Sequence, residues 1–143
     1  MYCRKLQVIL SSFALSCALT ACGSGVADEP IAIEIDLSES ALVAGVGYVR
    51  LAGFNSFGIS CLTVRSYFNR PDAYIFGEDI ALDDVGRQMG GAQTFNVIPE
   101  GRYIVAAYGF ADQDSTDNVL AFGCEDDVAV ELGKLTQVDL DLR

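Results

Sequence analysis

Ile31-Ala32-Ile33-Glu34-Ile35-Asp36-Leu37-Ser38 decides the fold. Ile31, Ile33, Ile35 and Leu37 alternate with Ala32, Glu34, Asp36 and Ser38, and a period of two puts one set of side chains on each face of a strand. The same pattern closes the chain, where Val138, Leu140 and Leu142 alternate with Gln137, Asp139, Asp141 and Arg143. Further strands are predicted at Gly47–Gly53, Cys61–Phe68, Ala73–Phe76, Gln93–Ile98, Arg102–Phe110, Val119–Phe122 and Asp127–Leu132. Asn55-Ser56, Asn69-Arg70-Pro71-Asp72, Gly90-Gly91, Pro99-Glu100-Gly101 and Gly133-Lys134 supply the turns between them. No stretch has the spacing of an amphipathic helix. Short strands every 8–12 residues, on the spacing rule for such folds, predict an all-β, antiparallel sandwich or barrel of seven or eight strands over residues 31–143.

Composition agrees and removes several function classes. The chain has 143 residues, the size of one domain. Lys and Arg number 9 against 20 Asp and Glu, a formal charge of −11. Phosphate binding needs a basic face, so no nucleic-acid partner is expected. Histidine is absent, which excludes a Ser-His-Asp triad, a Cys-His pair and a His-ligated zinc. A hydrophobic content of 51% with only 3 prolines argues against disorder.

The first 22 residues carry an address. Arg4 and Lys5 precede an apolar run from Leu6 to Ala21 that Gln7, Ser11, Ser12 and Ser16 interrupt. The run is short for a bilayer span, and the charge-then-apolar order is that of a secretory signal. It ends in Leu19-Thr20-Ala21-Cys22-Gly23, which resembles a bacterial lipobox. The resemblance implies cleavage after residue 21 and a diacylglycerol on the Cys22 sulfur. Two or more acyl chains make a stable anchor where one does not. Gly23 stands where aspartate usually signals retention on the inner membrane, so the outer membrane is the expected location. Residues 22–30 then form the lipidated cysteine and a short tether, Gly23–Pro30, that extends about 26 Å at ~3.3 Å per residue. Without Arg4 and Lys5 the formal charge of −11 becomes −13.

The cysteines sort accordingly. Of the 5, Cys3 and Cys17 leave with the signal and Cys22 is acylated. Cys61 and Cys124 remain as an even pair in an oxidising compartment. A disulfide between them is expected, closing a loop of about 64 residues; two buried free thiols are the rival reading.

Val97-Ile98-Pro99-Glu100-Gly101-Arg102-Tyr103-Ile104-Val105 resembles the Pro-x-Gly turn, tyrosine and alternating valines of carboxypeptidase-regulatory-like, or prealbumin-like, β-sandwich domains. The closing stretch Gly123–Leu142 is similar to the last hairpin of secreted lipoproteins of that kind. Immunoglobulin-like sandwiches share such motifs. The resemblance covers residues 95–143 and implies an antiparallel Greek-key β-sandwich, with Tyr103 packed at its corner. In that family the domain is a structural or binding module, so no catalytic activity is expected.

Each candidate for chemistry has a plainer alternative. Asp112, Asp114 and Asp117 fall within Asp112-Gln113-Asp114-Ser115-Thr116-Asp117-Asn118 and carry the hard oxygen ligands calcium prefers. The spacing departs from an EF-hand, with Asp117 where glycine belongs and Gly123 where glutamate belongs. A hydrated hairpin loop is the plainer reading, and a calcium-dependent adhesion module is the alternative function. Glu125-Asp126-Asp127 reads as a wet turn. Glu78-Asp79 and Asp83-Asp84 are paired carboxylates, the type of group that hydrolyses glycosides. With tryptophan absent, no sugar platform accompanies them. Phe54 and Phe57 share a glycine-bounded turn and are either a plug at the end of the sandwich or an exposed recognition tip. Tyr67, Phe68, Tyr74 and Phe76 near Arg65 and Arg70 raise the same choice, with strand core preferred. Glu34, Asp36, Asp139 and Asp141 all point outward. Like charges opposed across a strand pair are destabilising, so the first and last strands are expected apart, or screened. Lys134, Arg143 and Arg50 are the cations available to neutralise them. The expected partners are the membrane through the lipid, and an envelope protein or a glycan.

Overall fold

A computed structural model describes residues 31–37, 44–83, 92–96 and 98–143. Among the described residues seven strands form a β-sandwich. In chain order they are β1 (Ala32–Asp36), β2 (Tyr48–Asn55), β3 (Phe76–Ala81), β4 (Gln93–Asn96), β5 (Gly101–Phe110), β6 (Ala121–Val130) and β7 (Leu135–Asp139). One layer has the order β4-β1-β7 and the other β3-β2-β5-β6. A one-turn helix, α1 (Cys61–Val64), and a 3-10 turn at Pro71–Ala73 lie between β2 and β3.

From Ile33 onward the alternation of the first strand is realised: Ile33, Ile35 and Leu37 are buried and Glu34 and Asp36 are not, whereas Ala32, expected on the wet face, is buried and Ile31 is half-buried. Between the layers Ile33 and Ile35 meet Val49 and Leu51 of β2, Val105 of β5, Val128 and Val130 of β6, and Val138 of β7. Tyr103 is buried here, and its hydroxyl donates to the Pro99 carbonyl at 2.6 Å, tying the start of β5 to the turn before it.

A second core lies on the far side of the larger sheet. Ile104, Ala106, Tyr108 and Phe110 of β5, with Tyr48, Ala52 and Phe54 of β2, form an apolar face that the crossover from Ser56 to Ile75 covers. Val64 inserts fully, with Tyr67, Phe68 and Tyr74 beside it. The Cys61–Cys124 disulfide fastens this cover to β6, and the bridge is formed rather than two free thiols. β2 and β5 are therefore buried on both faces.

Four expectations are corrected. Cys61–Phe68 is not a strand: Cys61–Val64 is a helical turn, Val64 is buried, and half-buried Tyr67 and Phe68 follow it onto the same face. Ala73–Phe76 is not a strand: Ala73 ends a 3-10 turn, and the strand begins at Phe76 and runs through Glu78-Asp79 to Ala81. The two strands expected at Val119–Phe122 and Asp127–Leu132 are replaced by one, β6, which runs from Ala121 to Val130. Glu125-Asp126-Asp127 is not a turn but an irregularity within it, where the register passes from Tyr103↔Val128 to Val105↔Glu125. Three steps on β6 oppose two on β5, the signature of a bulge, and Asp127 takes φ 62° to absorb the extra residue. Finally, β1 and β7 are direct neighbours, and they run parallel within otherwise antiparallel sheets. Their register sets Asp36 beside Asp139 but Glu34 beside Gln137, whose amide donates to the Glu34 carboxylate at 2.9 Å. An amide in that position turns one expected repulsion into a hydrogen bond.

Beyond β7 the chain crosses from one layer to the other. The Leu140 N–H donates to the Asp36 carbonyl, then Arg143 and Phe122 exchange backbone hydrogen bonds at 3.0 and 3.4 Å. The crossing is close because position 123 is glycine: a Cβ there would sit 2.7 Å from the Asp141 carbonyl oxygen. The tail thus joins the edges of the two sheets on one side of the sandwich.

Candidate functional site

The polar groups of the cover are built around Arg50. Alternation along β2 places it on the outer face between Tyr48 and Ala52. Its guanidinium binds Asp79 of β3 through both carboxylate oxygens, Nε at 2.7 Å and Nη2 at 2.9 Å. Nη1 donates to the Phe68 carbonyl at 3.1 Å, and the charge lies 5.6 Å from the centre of the Phe110 ring. Tyr74 completes the cluster by donating to the same Phe68 carbonyl at 2.7 Å and resting edge-on against Phe54. The Asp79 bond holds the Arg50 pKa above its ordinary value, and burial raises Tyr74. Tyr108 donates to the Val64 carbonyl at 2.5 Å, and burial raises its pKa strongly. These groups lock the crossover onto the sheet. A shallow depression of about 450 Å³ beside them is lined by Pro71, Tyr74, Phe76, Gly77, Glu78 and Asp79.

The acidic candidates are dispersed. Asp112, Asp114 and Asp117 lie in the β5–β6 loop, where the Asp112 carboxylate accepts the Asp114 N–H at 2.9 Å. No group of three or more His, Cys, Asp or Glu side chains is arranged to hold a metal ion among the described residues. Within the β6 bulge, Asp126 accepts the Cys61 N–H at 2.9 Å and Asp127 pairs with Arg102. Of the glycosidase candidates, Asp79 is committed to Arg50, Glu78 is exposed on β3 and Asp83 follows β3; Asp84 lies outside the described residues. Cys22 lies outside them too.

Phe54 and Phe57 part company. Phe54 is 1% exposed, packed under Tyr67 and Tyr74. Phe57 is 94% exposed. Its turn is nonetheless fixed: the Phe57 N–H donates to the Asn55 side chain at 2.9 Å, Ser56 binds the Arg102 carbonyl through both N and Oγ, and Gly58 takes φ 74°. The aromatic side chain is held out from the surface by this geometry.

The register then shows what stands beside it. Asn55 pairs with Tyr103, and Gly101 pairs with Val130, so β2 ends where β5 begins and β6 ends. The β6–β7 turn follows, carrying Leu132 (68% exposed) and Leu135 (52% exposed). Leu135 is in register with Ala32, so β1 begins at this end as well. The β6–β7 turn is fixed by the Lys134 N–H to the Glu131 carbonyl and by φ 71° at Gly133. Ile75, also exposed, donates its N–H to Gly53 near the same end. Sequence reading missed Leu132 and Leu135, because Leu132 completes an alternating run and nothing local shows that the strand stops at Val130. It also missed the Arg50–Asp79 pair, whose partners are 29 residues apart.

No protein-family model matches the chain, and no curated protein or solved structure shows significant similarity to it.

Proposed function

We propose that this chain is a lipid-anchored module of the bacterial cell envelope, binding or structural in role and without catalytic activity. One observation carries the reading: Leu19-Thr20-Ala21-Cys22 ends a short apolar run preceded by Arg4 and Lys5. On this reading residues 1–21 are removed, Cys22 carries the lipid, and residues 23–30 link it to the sandwich. Gly23 after the cysteine favours the outer membrane. The Cys61–Cys124 disulfide suits an oxidising compartment. The side chains that fasten the cover to the sheet support a non-catalytic role. Arg50, Tyr74, Tyr108 and Asp126 each make hydrogen bonds that hold the crossover in place. The raised ionisation of Arg50 follows from its bond to Asp79 and that of Tyr74 and Tyr108 from burial, with no nucleophile–base pair needed to explain it.

The test is metabolic labelling with a fatty-acid analogue in a bacterial host. The full chain should label and partition into detergent, and Cys22→Ser should lose both properties. Equal labelling of the variant overturns the proposal.

A further inference from the structure

We propose that the end of the sandwich where β1 begins is seated in a phospholipid surface, with Phe57, Leu132 and Leu135 in contact with lipid. The inference rests on the reading of Cys22 as the acylated residue and adds an orientation to it. Large apolar side chains exposed at one place mark an interaction surface, whereas scattered ones do not. Among the described residues six such side chains are exposed. Phe57, Leu132 and Leu135 are at this end and Ile75 close to it, Leu62 is on the cover, and Leu120 follows the acidic loop at the opposite end. Adjacent strands are about 4.8 Å apart, so β2 and β6, on either side of β5, bring their turns within about 10 Å of one another.

The occupant follows from where the described chain starts. Ile31 precedes β1 at this end, and eight residues, Gly23–Pro30, separate it from Cys22. They extend to about 26 Å at ~3.3 Å per residue, which keeps this end near the bilayer that holds the lipid. Charge argues the same way. At this end Arg102 is paired with Asp127 and Lys134 with Glu131, which cancels four charges in place. The loop bearing Asp112, Asp114 and Asp117 is at the opposite end, after β5. Seating the apolar end therefore carries those carboxylates away from a negative leaflet. Glu100 remains exposed at the apolar end, so the surface it suits is zwitterionic.

The chain has no tryptophan, which allows single-tryptophan reporters. Phe57→Trp and Leu132→Trp alter exposed side chains, and Gln113→Trp in the acidic loop is the control. Each acylated full-length variant would be reconstituted into phosphatidylcholine vesicles containing brominated phosphatidylcholine, which quenches tryptophan on contact. Emission from positions 57 and 132 should shift to the blue and be largely quenched, and emission from position 113 should change little. Co-sedimentation with vesicles but no quenching at either position overturns the seating and leaves the anchor standing. A blue shift without quenching means that protein, such as a second copy, covers this end, and overturns it as well. Failure to co-sediment removes the anchor and the seating together.

Discussion

Tyr108 shows how one residue ties the cover to the sheet. Its ring fills the outer face of β5 between Phe68 and Phe122, and its hydroxyl reaches the Val64 carbonyl. That carbonyl also accepts the Tyr67 N–H at 2.8 Å, so removing the hydroxyl does not leave it without a donor. Tyr108→Phe should therefore cost only about 1 kcal/mol, the net value of one hydrogen bond. Phe54→Ala empties a site that is 1% exposed and should cost about 3–5 kcal/mol. Denaturant midpoints of the two variants decide the matter, and equal losses would show that the hydroxyl holds the cover as strongly as the packing does. Arg50 works differently: its stem and charge lie against an aromatic ring while both guanidinium edges bind, one to Asp79 and one to backbone. Lysine could not make the bidentate contact.

At the scale of elements, the crossover from Ser56 to Ile75 is the weakest part to hold by propensity alone. Its helix has four residues, far below the length at which a helix is stable unaided. It is kept in place by packing, by Arg50 and by the disulfide. Closing a loop between cysteines 63 positions apart is worth roughly 4 kcal/mol on the chain-entropy account. Reduction should lower the melting temperature and should act unevenly. Amide hydrogen exchange across the cover should accelerate, while β1 and β7, in the opposite layer, should keep their protection relative to global unfolding. A uniform loss of protection would show that the cover and the sandwich open as one unit. The β6 bulge belongs to the same device, because it points Asp126 at the Cys61 N–H next to the bridge and Asp127 at Arg102.

Over the whole molecule, the titration that matters is alkaline. Tyr48, Tyr74, Tyr103 and Tyr108 all have pKa values raised above 10.0, in each case chiefly by burial. A raised phenol pKa means that the fold favours the neutral form. Its contribution is complete below pH 10, where the unfolded chain is also protonated, and is lost as pH rises from there through the folded value. Thermal melts should therefore show stability falling above pH 10, with tyrosinate absorbance from these residues appearing together with unfolding. Full tyrosine ionisation near pH 10 in a protein that is still folded would contradict the burial argument. The same molecule is polarised along its length, with paired charges and apolar turns at one end and the Asp112–Asn118 loop at the other. That polarity is the basis of the proposed seating at a lipid surface.

Much of this was legible before folding. Alternation is a local property of the backbone, so Ile31–Leu37 revealed a strand and its buried face directly, and the Tyr, Ile and Val content of Arg102–Phe110 revealed another; the closing alternation Val138–Leu142 was displaced, because the strand is Leu135–Asp139 and Leu140 and Leu142 are buried beyond its end. Cysteine number and absent histidine bounded the chemistry for the same reason, since they need no geometry. Three things depended on tertiary structure. Cys61–Val64 forms a helical turn because it must cover the outer face of a sheet, a demand set by Tyr108 and Phe110 more than forty residues later. β1 lies parallel to β7 because burying Ile33 and Ile35 against Val138 and the opposite layer outweighs placing Asp36 beside Asp139 at the edge of the pairing. The exposed cluster of Phe57, Leu132 and Leu135 arises from register, which is a relation between strands and is written in none of them alone.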